Sequence, residues 1–142
     1  MATYVFSDVH GHAAPLARAL TRIDPSEDDV FYCLGDMIDR GPDPLGVIEL
    51  VRSLPNCHVL MGNHEDLMLA CMSDTGDDLD SIDAANWGIN GGIVTSEALA
   101  SLTEQEADEV VDWIAALPRY AHVTVGERDY LLVHAGIDPA AV

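Results

Sequence analysis

The stretch Cys33-Leu34-Gly35-Asp36-Met37-Ile38-Asp39-Arg40-Gly41 decides the reading of this chain. It grows out of an apolar run over 30–34 that has the composition of a buried strand. Asp36, Asp39 and Arg40 leave that strand end together. Burying charge is costly unless it is paired or bound to a metal. Such a strand end therefore asks for a cation beside the carboxylates and an anion beside the guanidinium.

Upstream, Thr3–Phe6 is a predicted strand ending in Ser7-Asp8-Val9-His10-Gly11-His12. Residues i and i+2 of an extended segment point to the same side, so Asp8 and His10 are expected to share one ion. A helix is predicted over 15–23, with Leu16, Ala19, Leu20 and Ile23 on one face and Pro15 in its first turn. Downstream, Pro42 and Pro44 precede a helix over 45–54. A third strand over 57–61 ends in Gly62-Asn63-His64-Glu65-Asp66, and a helix over 67–72 follows. Strand, polar tip and helix thus recur in order, which predicts an α/β fold with a mostly parallel sheet. In such folds sites lie at the carboxyl ends of the strands, where Asp8, His10, Asp36, Asp39, Arg40, Asn63 and His64 all fall.

The acidic segment 73–83 reads as an exposed loop. In Asn86-Trp87-Gly88-Ile89-Asn90-Gly91-Gly92, the glycines suggest a turn or a backbone that approaches something closely. A short helix is predicted over 95–102, and a second, running from a capping box at Thr103 and Glu106 through Leu117, is assigned to packing. Residues 120–125 and 130–133 form a hairpin with a four-residue turn over 126–129. Its second strand delivers His134-Ala135-Gly136.

The chain is expected to be one domain over 1–142. Asp and Glu number 25 against 6 cationic residues, all of them Arg, and the formal net charge is −19. A surface so acidic excludes a nucleic-acid backbone as partner. Cys33, Cys57 and Cys71 are scattered and odd in number, as buried thiols of a reducing compartment are. No secretory signal and no membrane span is evident, so a cytoplasmic protein is expected.

Oxygen and imidazole donors without thiolates suit manganese first, with iron or zinc as alternatives. Asp8, His10, Asp36, Asn63 and His134 are too many ligands for one tetrahedral ion. They point to two divalent metal ions bridged by Asp36. Two such ions clamp the attacking and leaving oxygens of an in-line displacement and generate hydroxide near neutral pH. Arg40 offers a planar fork for phosphate. His64, next to the ligand Asn63, is placed to act as general acid, with Asp39 orienting its ring. Asn63 also lies within reach of the substrate.

Ser7-Asp8-Val9-His10-Gly11, Gly35-Asp36-Met37-Ile38-Asp39-Arg40-Gly41 and Gly62-Asn63-His64-Glu65, in this order, resemble the motifs of the calcineurin-like metallophosphoesterases. Asp39-Arg40 and Glu65 resemble more narrowly the serine/threonine protein phosphatase type with its bacterial and phage members. His134-Ala135-Gly136 is similar to the family's next motif, and Trp87 with Asn90-Gly91-Gly92 to a bacterial W-x-x-N-G-G element. The resemblance implies a β-sandwich core flanked by helices. It implies Asp8, His10 and Asp36 on one metal, and Asp36, Asn63 and His134 on the other. It also implies hydrolysis of phosphoprotein or small phosphoesters by a metal-bridging hydroxide. Two rivals accompany that reading: a dinucleoside polyphosphate hydrolase of the same superfamily, and an inactive, truncated metal-binding remnant. The family carries a further metal-binding His beyond the H-x-G motif that this sequence does not contain. The expectation is therefore an incomplete second half of the sandwich, an under-coordinated second metal, and exposed sheet edges that favour self-association.

Overall fold

The computed structural model describes residues 1–73, 82–136, 138 and 140. Strands β1 (Thr3–Phe6), β2 (Val30–Cys33) and β3 (Cys57–Val59) form a parallel sheet in the order β1-β2-β3. Parallel neighbours need long crossovers, supplied by α1 (Ala13–Ile23) and α2 (Pro44–Ser53). Phe6 pairs with Cys33, and Cys33 with Val59. The last residues of the three strands therefore stand in one row. Every loop that leaves the sheet at this edge starts level with its neighbours, which is how segments distant in sequence come to share a site.

Beyond β3 the chain is helical through α3 (Asn63–Ser73), α4 (Ile82–Trp87), a π turn (Gly88–Gly92), α5 (Ile93–Ala100) and α6 (Glu104–Ala115). The Asp43 carboxylate caps α2 by accepting from the Gly46 N–H at 2.9 Å, and Thr103 with Glu106 closes the capping box of α6. Phe31, Met37, Ile38, Val47, Met68 and Ile114 are fully buried. Each such side chain contributes about 1.5–3 kcal/mol of burial. The core joins Cys33 and Val59 of the sheet, residues of the helices, and Met37 and Ile38 of the central motif in one cluster.

Strands β4 (Tyr120–Val125) and β5 (Arg128–Val133) form a separate antiparallel sheet. Val123, Val125, Tyr130 and Leu132 of this hairpin line a cavity of about 200 Å³ together with Thr3, Val5 and Tyr32 of the parallel sheet. The architecture is α/β, with two small sheets and helices around them.

Several local expectations are corrected. Helix α3 begins at Asn63 rather than at 67, because Glu65 and Asp66 favour the positive end of the helix dipole in its first turn. The hairpin turn has two residues, Gly126 and Glu127, since Val125 pairs with Arg128 and Thr124 with Asp129. Gly126, at φ 62°, takes the first central position that such a turn reserves for glycine. Residues 86–92 are two helical pieces meeting at a kink at Gly91, whose φ is 99°, rather than an open turn. Of the acidic loop assigned to 73–83, residues 74–81 lie outside the described residues. All three cysteines are free thiols. Burial pushes Cys33 up to about 12 and Cys57 up to about 11. Among the described residues no helix is long and apolar enough to cross a membrane.

Candidate metal and phosphate site

The tips of β1 and β2 and the start of α3 meet in one cluster. Asp36 stands at its centre and is 3 % exposed. Its Oδ2 lies 3.6 Å from His10 Nε2 and 3.4 Å from His134 Nε2. Its Oδ1 accepts the N–H of His64 at 3.0 Å. Asp8 Oδ1 lies 3.8 Å from His10 Nε2. Two groups of potential ligand atoms share Asp36: His10 with His64, and Asp8 with His134. Asn63 joins the second, its Oδ1 2.9 Å from His134 Nε2. All five residues expected to hold metal are thus brought together.

The convergence is not achieved as the sequence suggested. Asp8 and His10 are not in extended backbone, where alternation would align them. Asp8, His10, Asp36, Asp39 and Arg40 all adopt left-handed φ, between 44° and 69°. Asp and His tolerate this region better than most residues, but the strain is real and gathers at functional sites.

The donor set has a charge problem that a cation solves. His134 Nδ1 donates to the carbonyl of Leu34 at 2.8 Å. The ring's Nε2 then faces the oxygens of Asn63 and Asp36. His10 Nδ1 donates likewise to the carbonyl of Ile38 at 2.9 Å, so its Nε2 lone pair faces Asp36 and Asp8. Electron-rich atoms turned toward one another repel unless a positive charge sits among them; Arg40 brings one to His10 Nε2, and a bound cation would bring it to the His134 side. A ring N–H anchored on a backbone carbonyl is the usual support of a metal-ligating histidine. The residues fit divalent cations.

Around the cluster lies a second set of contacts. His64 Nδ1 donates to Asp39 Oδ2 at 2.7 Å, with both side chains almost fully buried. Trp87 Nε1 donates to the same carboxylate at 3.0 Å, and Thr95 Oγ1 donates to its other oxygen at 2.6 Å. Thr95 Oγ1 in turn accepts the Asp39 N–H at 2.9 Å. Glu65 is fully buried and accepts three backbone N–H groups, from Asp36, Met37 and Gly62, at 2.8–2.9 Å. Burial pushes its pKa above the usual carboxylate range, against the pull of those three donors. A Cβ on Gly62 would fall 2.2 Å from Asp36 Oδ1, so the strand tip can sit against the carboxylate only because this residue lacks one.

Arg40 is held by the π turn. Its backbone N–H donates to Gly91 O at 3.1 Å and its Nε–H to Asn90 O at 3.4 Å. Gly91, at φ 99°, packs on the Arg40 side chain, and Gly92 on the Trp87 ring. This is the close approach that the paired glycines implied. The terminal nitrogens of Arg40 reach His10 Nε2 at 3.3 Å and His64 Nε2 at 3.1 Å, which puts the guanidinium beside the ligand atoms.

Thr95 was read from sequence only as the start of a short helix, and Glu65 only as part of a motif. Neither spacing nor composition exposes their part in bracing the site. The hydroxyl of Thr95 is a signal only once α5 is known to cross the end of the sheet.

A model of the calcineurin-like phosphoesterase family matches residues 1–140. The symmetrical bis(5'-nucleosyl)-tetraphosphatase of Pectobacterium atrosepticum is 32% identical over 143 residues, which is 98% of this chain and 44% of that protein. The enzyme of the same name from Erwinia tasmaniensis is 30% identical over 142 residues, 98% of this chain and 46% of its own length. The chain therefore spans about half the length of the curated relatives it matches. Among solved structures, a metallophosphoesterase from Sphaerobacter thermophilus superposes with a TM-score of 0.55 at 23% identity, over 84% of this chain and 42% of that one. At that identity the likeness is one of fold.

Proposed function

Since the chain belongs to the calcineurin-like phosphoesterases, a family of metal-dependent hydrolases, we propose that it carries the metal- and phosphate-binding half of a dinucleoside polyphosphate hydrolase. The observation that supports this reading is Asp36, a buried carboxylate whose Oδ2 lies 3.6 Å from His10 Nε2 and 3.4 Å from His134 Nε2, in a chain whose full-length curated relatives are symmetrical tetraphosphatases.

Asp8, His10, Asp36, Asn63 and His134 would hold a pair of divalent ions. When bound, the pair supplies Lewis acidity toward phosphoryl oxygens and activated water at neutral pH. The chain's own residues do the rest. Arg40, pinned at its N–H and Nε by the π turn, orients the scissile phosphate through its terminal nitrogens. Asp39 holds the His64 ring by Nδ1, so that with Arg40 turned to the phosphate the imidazolium form would carry an Nε2 proton to hand to the leaving oxygen. Trp87 and Thr95 keep Asp39 from turning. Addition of one water across the central P–O–P bond of a dinucleoside tetraphosphate releases two nucleoside diphosphates.

Asp39-Arg40 and Glu65, which resemble the protein phosphatase type, act here on the scissile phosphate and on the backbone. They do not select a leaving group, and phosphoprotein becomes the second arm of the test. The chain is incubated with Mn²⁺ and either diadenosine tetraphosphate or a phosphoserine peptide, and products are separated by anion exchange. ADP as the sole nucleotide product, absent with Asp36→Asn, is expected. Orthophosphate from the peptide without cleavage of the tetraphosphate would overturn the reading.

A further inference from the structure

A cavity of about 420 Å³ opens on the Asn63–His134 side of the cluster, and Asp66, Arg119, Tyr120 and Asp138 complete its wall. Its size is that of a small-ligand site. Arg40 abuts the opposite side of the cluster, at His10 and His64. Among the described residues that line this cavity, Arg119 is the one Arg or Lys.

Its placement is unusual for a chain of net charge −19. Arg119 Nη1 and Nη2 donate to the two oxygens of Asp66 at 2.5 and 2.6 Å. A guanidinium carries five N–H donors, so this bidentate pair leaves three for a ligand. The side chain is 68% exposed, and a pair so exposed adds little to stability. The junction it spans is already tied by the backbone, since the Met61 N–H donates to Pro118 O at 2.8 Å. Folding therefore does not require the ion pair, whereas a polyanion approaching an acidic protein requires a fixed cation where it lands.

We propose that Arg119, oriented by Asp66, is a specificity-determining residue that grips the phosphate next to the scissile one. It would favour phosphoanhydride substrates over simple monoesters. The proposal rests on the dinucleoside polyphosphate reading and deepens it: Arg40 takes the phosphate that is attacked, and Arg119 takes its neighbour.

The test is calorimetric titration of the Mn²⁺-loaded chain with ADP and with AMP, which differ by that one phosphate. Wild type is expected to prefer ADP. Arg119→Gln should bind ADP about tenfold more weakly while AMP changes less than about twofold. Arg119→Lys, which keeps the charge but not the fork, should recover part of the loss. Equal losses for both nucleotides, an unchanged preference in Arg119→Gln, or no preference in wild type would each overturn it. Thermal melting of each variant confirms that it is folded. If Arg119→Gln loses ADP selectively while diadenosine tetraphosphate resists cleavage, the hydrolase reading falls and the diphosphate subsite stands.

Discussion

Replacing Thr95 by valine removes a hydroxyl and little else. The side chain is 1 % exposed, and valine fills nearly the same space, so no cavity opens. Two interactions disappear. The bond to the Asp39 carboxylate, 2.6 Å long, is of the charged class, with a net value of about 1.5–3 kcal/mol. The Asp39 N–H, which donates to Thr95 Oγ1 at 2.9 Å, is left buried without an acceptor, at about 1–3 kcal/mol. Trp87 still reaches both carboxylate oxygens, at 3.1 and 3.0 Å, and relaxation around it softens the sum to about 3 kcal/mol. For a chain of this length that lowers Tm by about 10 °C. Thr95→Ser keeps the hydroxyl and loses one methyl, for about 1 kcal/mol. The assay is thermal unfolding followed by circular dichroism, with wild type, Thr95→Val and Thr95→Ser compared in one buffer. Equal melting of the two variants, or a valine variant within about 2 °C of wild type, would refute the reasoning. A freed Asp39 also loosens the His64 ring, so kcat is expected to fall about tenfold in the valine variant.

Other perturbations have equally definite outcomes. Glu65→Gln turns one acceptor oxygen into a donor facing backbone N–H groups, and metal affinity measured by Mn²⁺ titration should weaken about 10–100-fold. Saturating Mn²⁺ should raise Tm in wild type, with about 2.7 kcal/mol of added stability at a hundredfold excess over Kd; the rise should vanish in Asp36→Asn, and its persistence there would place the ion elsewhere. The N–H groups of Ala2 and Ser26 hold the Asp29 carboxyl below its ordinary value of 3.8. A depressed pKa stabilises the fold above that value and loses the contribution as pH falls through the folded pKa. Wild type should therefore out-melt Asp29→Asn at pH 7 and converge with it below pH ~4; a gap unchanged between pH 7 and 3 would rule this out.

What could be read in advance was the chemistry at the strand ends. Asp36, Asn63 and His134 could be placed because each follows an apolar run closely; the register of the parallel sheet brings the ends of β2 and β3 level, while His134 arrives from the separate antiparallel hairpin. Backbone conformation was out of reach. Left-handed φ at Asp8 and His10 leaves no trace in hydrophobic periodicity, so an extended segment was the natural inference. Helix α3 started early because Asn63-His64-Glu65 looks like a loop by composition, while acidic residues suit a first helical turn. The bracing bonds of Thr95 to Asp39 and of Glu65 to Asp36 escaped notice because they span 56 and 29 residues. Hydrogen bonds of that reach are set by packing, which single-sequence patterns do not carry.

The left-handed backbone at Asp8, His10, Asp36, Asp39 and Arg40 bears on how this protein can change. Left-handed conformation costs a non-glycine residue about 1–2 kcal/mol, and glycine adopts it freely. At Asp8, whose side chain is 59% exposed, little packing opposes the exchange, and Asp8→Gly should melt no lower than wild type while binding Mn²⁺ more weakly. A library sorted for heat resistance alone would thus lose the Asp8 carboxylate early. Its persistence has to be enforced by function, because the fold would be content without it, whereas Asp39 is held in place by bonds from Trp87 and Thr95.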